Sequence, residues 1–181
     1  MFLKFKKNKT KHTSFLIYKK LVSYSRNKIF YTHLKVPDTL DGRFDLIIFH
    51  LYFIHIALFK KGVLEQQIYD EVLGIMYKDF DSNLREIGVG DLSVGKKIYQ
   101  MSEAVAGRII AYNNSKNSKE KIQDAILRNI YSSKKIFDKK IISIMVDYFL
   151  INIKNIKSKK LVDIKENSAI FFDLEKIIIK R

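Results

Sequence analysis

Cysteine and tryptophan are absent from this 181-residue chain, proline occurs once and glycine seven times. Without cysteine there can be no disulfide framework and no thiolate chemistry. A single proline, Pro37, and so few glycines disfavour a turn-rich β architecture and favour long helices. Long apolar runs are missing too. The longest uncharged stretch, residues 46–59, has fourteen residues and includes His50 and His55. A spanning helix needs about twenty apolar residues, so this stretch reads as a buried core helix. The first fifteen residues lack the apolar centre and small-residue cleavage site of a secretory signal, and neither a signal nor an organellar presequence is expected there.

Acid is also missing where base is abundant. Residues 1–37 hold ten Lys/Arg and no Asp/Glu, and residues 134–160 hold eight basic residues against two acidic ones. The stretch between them is close to neutral. With a net charge of +15, the chain therefore carries two basic flanks aimed at something anionic. Hydrophobic residues make up 47% and charged residues 29%, a globular composition at a length suited to one domain.

The periodicities are helical. Phe15, Tyr18, Leu21 and Val22 form the apolar side of an amphipathic segment with Lys19, Lys20 and Arg26 opposite. Val36-Pro37 breaks the chain, and Asp38-Thr39-Leu40-Asp41 has the composition of a helix start. The following helix is apolar nearly all round to Phe59, and Lys60-Lys61-Gly62 should end it. A long helix over 63–87 should stop at Gly88-Val89-Gly90, with Asp91 capping the next. There Val94, Ile98, Met101, Val105, Ile109 and Tyr112 give the clearest helical spacing in the chain. Residues 113–118 read as a loop, and helices follow over about 118–130 and 139–156. Residues 161–181 fit strand and helix equally. The fold class is all-α: one compact domain of five to six helices over 28–160, a basic amphipathic arm at 1–27 and a tail at 161–181. The arm should serve location rather than folding, so that a chain starting at Lys28 would stay folded.

No constellation supports catalysis, a metal or a cofactor. Gly90 to Lys97 nearly spells the phosphate-binding GxxxxGK[ST] loop, but Lys97 stands where a hydroxyl must hold magnesium, and a helix rather than a strand precedes it. His50 and His55 would point about 140° apart on a helix and cannot share a metal. Asp38, Asp41, Arg43 and Asp45 crowd one helix start, either as a recognition patch or as caps and an ion pair. Arg85, Glu86, Arg108 and Arg128 fit a solvated face as well as a site. The basic flanks, interleaved with Phe2, Phe5, Phe15, Tyr18 and Tyr24, could meet RNA, anionic lipid or an acidic protein.

Two stretches are distinctive: VPDTLDGRFDLIIFHL (36–51) and LREIGVGDLSVGKKIYQMSEAVAGRIIAY (84–112), continued by ILRNIY (126–131). In these the chain resembles the ubiquinol–cytochrome c chaperone family over roughly residues 28–150. The positions that coincide with the family pattern are Pro37, Asp38, Asp41, Gly42, Arg43, Asp45, Arg85, Glu86, Gly88, Gly90, Asp91, Gly95, Lys96 and Arg108. The resemblance implies a non-enzymatic helical protein that assists assembly of respiratory complex III, without a cofactor, by acting on newly made cytochrome b. It would lie peripheral to the inner membrane, on the cytoplasmic face or, in a eukaryote, the matrix face. A small helical co-chaperone, the ribosome or an anionic membrane surface would be further partners. Asp38, Asp41, Arg43, Asp45, Arg85, Glu86, Asp91, Lys96, Lys97 and Arg108 are the candidate client-binding residues. Pro37, Gly42, Gly88, Gly90 and Gly95 are expected at structural turns. On charge alone, an RNA- or ribosome-associated helical protein is the alternative.

Overall fold

The computed structural model of the protein describes residues 2–132, 138–166 and 170–179. Its elements are α1 (Phe2–Ser25), α2 (Lys28–Thr32), α3 (Leu40–Leu58), α4 (Val63–Glu86), α5 (Asp91–Ser115), α6 (Lys119–Ile130), α7 (Lys139–Lys157), α8 (Leu161–Glu166) and α9 (Glu175–Ile178). Six are long and three are short, with no strand among the described residues, so the all-α expectation holds. No described helix is long and apolar enough to cross a membrane.

Helix α3 is the axis of the domain. Thr39 caps it, its hydroxyl accepting from the Gly42 N–H at 3.1 Å. From Phe44 to Ile54 every residue is buried, as expected of a helix that is apolar all round. Helices α1, α4, α5, α6 and α7 pack around it. Its aromatic side chains lock into theirs. Tyr52 stacks on Phe149 of α7 with centroids 5.5 Å apart, and Phe49 meets Tyr112 of α5 edge-on at 5.6 Å.

The end of α3 differs from expectation. The left-handed residue after it is Lys60 (φ 54°), while Gly62 is extended. At its start Gly42 is not a turn but a close approach: a Cβ there would run into the Pro37 carbonyl. The Pro37 break thus folds back against the first turn of the helix that follows it, and only glycine leaves room.

At the α4–α5 corner the glycines divide the work unequally. Gly88 takes φ 86°, the left-handed conformation that closes α4. Gly90 caps α5 with ordinary extended backbone, Asp91 lies inside the helix, and Gly95 is helical rather than a turn. The Gly90–Lys97 segment therefore builds no phosphate loop, because its residues from Asp91 onward are helix. Gly88→Ala is expected to cost about 1 kcal/mol, and Gly90→Ala a few tenths at most. Urea unfolding of the two variants checks this, and equal costs would contradict the assignment of the strain to Gly88.

The division into arm, domain and tail does not follow the packing. Helix α1 runs against α4 and α3, with Ile17 and Leu21 fully buried and Tyr18 nearly so. Small buried residues let it lie close. The Ser14 hydroxyl, donating within α1 to the Thr10 carbonyl at 2.9 Å, lies 3.3 Å from the Ile68 carbonyl of α4, and that of Ser25, donating to the Leu21 carbonyl at 2.8 Å, lies 3.2 Å from the Leu46 carbonyl of α3. The second half of residues 1–27 is core, which argues against the expectation that they are dispensable for folding. The last segment docks as well. Ile164, Ile170, Phe171, Leu174 and Ile177 belong to the same buried cluster, carried on short helices and irregular chain.

Candidate functional site

The candidate residues fall into three arrangements around α3, α4 and α5. The first lies ahead of α3, where Arg43 Nε donates to Asp38 Oδ1 at 2.7 Å. Both side chains are more than half exposed, so the pair adds little stability. The second joins two helices: Arg108 Nη2 of α5 lies 2.7 Å from Asp45 Oδ1 of α3. The guanidinium also stands over the Phe44 ring, 5.2 Å from its centroid. Asp45 is almost fully buried, and desolvation pushes its carboxyl up to about 6 despite the opposing pull of Arg108. Burial costs this carboxylate more than its partner returns.

The third arrangement is the α4–α5 corner. Arg85 Nε donates to Asp81 Oδ2 at 2.7 Å within α4, and its Nη1 pairs with Asp91 at the start of α5. The guanidinium bridges the corner that Gly88 turns. Asp41, Glu86, Lys96 and Lys97 are exposed and form no ion pair among the described residues. The ten candidates are therefore not one site. Asp45, Arg108, Arg85 and Asp91 hold helices together, whereas Asp41, Glu86, Lys96 and Lys97 face outward.

Two features the sequence reading passed over lie among these residues. One is a small cavity of about 110 Å³ between the end of α1, α2, α3, α4 and α5. Phe44, Ile47, Phe80, Leu84 and Met101 make its apolar wall, and Arg26 and Arg43 also line it. Asp79, in the same wall, accepts a hydrogen bond from the Tyr18 hydroxyl at 2.6 Å, fixing α1 to α4 there. Leu40 contributes too and is half exposed. Both distinctive stretches of sequence, 36–51 and 84–112, reach this cavity.

The other is the outer face of α5. Leu92 is 100% exposed, Tyr99 64% and Ile110 59%. Between them lie the exposed Gly95, Ala106 and Gly107, and at both glycines a Cβ would meet nothing within 4 Å. The inner stripe of α5 dominated the sequence pattern. A second apolar register at 92, 99 and 106 was the signal that could have revealed the outer one.

The structure is thus an all-α domain with helix-joining ion pairs, an apolar cavity and an uncovered apolar helix face. The model of the ubiquinol-cytochrome C chaperone family matches residues 32–159. The chain belongs to that family, whose members are non-enzymatic factors in the assembly of complex III. The crystal structure of the Cbp3 homolog from Brucella abortus has the same fold: TM-score 0.84, 23% identity, covering 97% of this chain and 99% of that one. No curated protein matches the chain.

Proposed function

We propose that this chaperone holds newly made cytochrome b at the membrane face during assembly of complex III, with the α5 side of the domain as its client surface. The observation that carries the reading is the exposed apolar register Leu92, Tyr99 and Ile110, spaced along one helix and flanked by small residues. A transmembrane segment awaiting its partners is an apolar helix, and small residues allow another helix to approach closely. The Arg26 and Arg43 cavity next to α3 offers a pocket for one apolar side chain beside a carboxylate. A small helical co-chaperone would use the same kind of surface.

The test is affinity capture from detergent-solubilised cells. The wild-type protein retains cytochrome b, and the Leu92→Asp/Tyr99→Asp variant loses most of it while its circular dichroism and melt stay unchanged. Deletion of the gene lowers complex III while other respiratory complexes persist. Normal cytochrome b levels and ubiquinol oxidation in the deletion strain would overturn the client assignment. Undiminished capture by the double variant would overturn the surface.

A further inference from the structure

The α1–α2 corner, the end of α7 and the last segment meet at one cleft. The last turn of α1 and the start of α2 supply Tyr24, Asn27 and Phe30; the end of α7 supplies Asn155, Ser158 and Lys159; the final segment supplies Phe172 and Lys176. The space between them is an open cleft of about 680 Å³, within the range of small-ligand sites. Around it the exposed charge is mostly basic. Asn27 precedes the exposed Lys28, and Ser158–Lys159 stand between the exposed Lys157 and Lys160, with Lys154 a turn earlier. One carboxylate, Asp173, lines the cleft as well, against Lys159 and Lys176, and Glu175 lies two residues further along the chain. More than a hundred residues separate the two basic segments along the chain, so their meeting is a product of the fold alone.

We propose that this cleft binds the phosphate headgroup of an acidic phospholipid and seats this end of the protein on an anionic membrane. The proposal rests on the membrane-face reading above. The wall chemistry is divided as an amphiphile requires. Tyr24 and Phe172, both partly exposed, form an apolar side that suits the first methylenes of an acyl chain. Lys159, Lys176 and Asn155 supply hydrogen-bond donors for phosphate oxygens. Ile179, 82% exposed one turn beyond Lys176, adds an apolar side chain beside the base, as interfacial segments do. The observations favour lipid over nucleic acid. Phe30 and Phe171 are almost fully buried and edge-packed on His50, so they offer no open ring face for base stacking.

The full-length chain is tested against phosphatidylcholine vesicles with and without phosphatidylglycerol. Binding is expected only with phosphatidylglycerol and should weaken as salt is raised. Lys159→Glu/Lys176→Glu should weaken it by about tenfold or more, since each basic residue at the surface contributes severalfold. Lys119→Glu/Lys121→Glu, with the same charge change on α6, should weaken it much less. Equal losses in the two would overturn the cleft in favour of bulk charge. Because the chain has no tryptophan, Phe172→Trp is a single reporter in the cleft. Its emission should shift to the blue with the acidic vesicles and with short-chain phosphatidylglycerol, but not with glycerol phosphate. A shift with glycerol phosphate would reassign the site to a soluble phosphate compound, and no shift while vesicles bind would overturn the cleft. Binding of single-stranded RNA that is lost in the cleft variant, without vesicle binding, would replace lipid with nucleic acid. Cytochrome b capture in detergent separates the two levels: a cleft variant that loses vesicles yet retains the client leaves the chaperone reading standing, and the converse result leaves the lipid site.

Discussion

A chain that begins at Lys28 is expected to lose its cooperative melt and to aggregate. Helix α1 is a wall of the core. Ile17 and Leu21 are fully buried, Tyr18 nearly so, and Ser14 and Ser25 are buried with their hydroxyls against carbonyls of α4 and α3. Truncating one such aliphatic side chain costs about 2–5 kcal/mol, and removing the helix uncovers the facing surfaces of α3 and α4 as well. Against a net stability of about 5–15 kcal/mol, the whole helix cannot be spared. Leu21→Ala gives the graded version, a loss of about 3 kcal/mol in urea unfolding. A Lys28 chain that melts like the full-length protein would show that α1 is held only by its surroundings.

Acid stability should depend on two buried groups that work against each other. His50 is fully buried in α3. Its Nδ1 donates to the Leu46 carbonyl at 2.8 Å, which leaves Nε2 to accept from the Tyr148 hydroxyl at 3.0 Å. That arrangement needs the neutral ring, and desolvation lowers its pKa from 6.5 to about 4. Between those values the unfolded chain binds the extra proton, so acidification removes stability. Asp45 has the opposite sign: its carboxyl rises from 3.8 to about 6, so in that interval the folded chain holds the extra proton and acidification adds stability. Each effect is on the order of 3 kcal/mol, and within the wild type they largely offset one another between pH 6 and pH 4.

Asp45→Asn removes one side of this balance. Its stability should fall by about 3 kcal/mol more than that of the wild type as pH drops from 6.5 to 4. His50→Gln should tilt the profile the other way, with stability holding or rising over the same interval, whatever its absolute value. Urea unfolding at a series of pH values reads both slopes. Parallel profiles in the three proteins would mean that neither group titrates differently in the folded and unfolded chains.

The sequence by itself determined the long helices and the family. Apolar spacing on α5, the Thr39 start of α3 and the Ser118 start of α6 are local signals, written in residues a few positions apart, and such signals survive without knowledge of packing. The distinctive stretches at 36–51 and 84–112 carried the function class for the same reason. What only the tertiary structure decided is where surfaces lie. Residues 14–25 have an ordinary amphipathic pattern that suits a free arm as well as a core helix, and the choice depends on whether α3 and α4 leave a groove for it. Gly88 and Gly90 are alike in sequence, yet one takes φ 86° and the other an ordinary angle, because the crossing of α4 and α5 sets where the chain must reverse. Asp45 and Arg108 are sixty-three positions apart and become partners only through the packing of α3 on α5. The meeting of the α1–α2 corner with the end of α7 at one cleft is the extreme case. Charge can be counted along a chain, but a field depends on distances in space, and those the fold alone supplies.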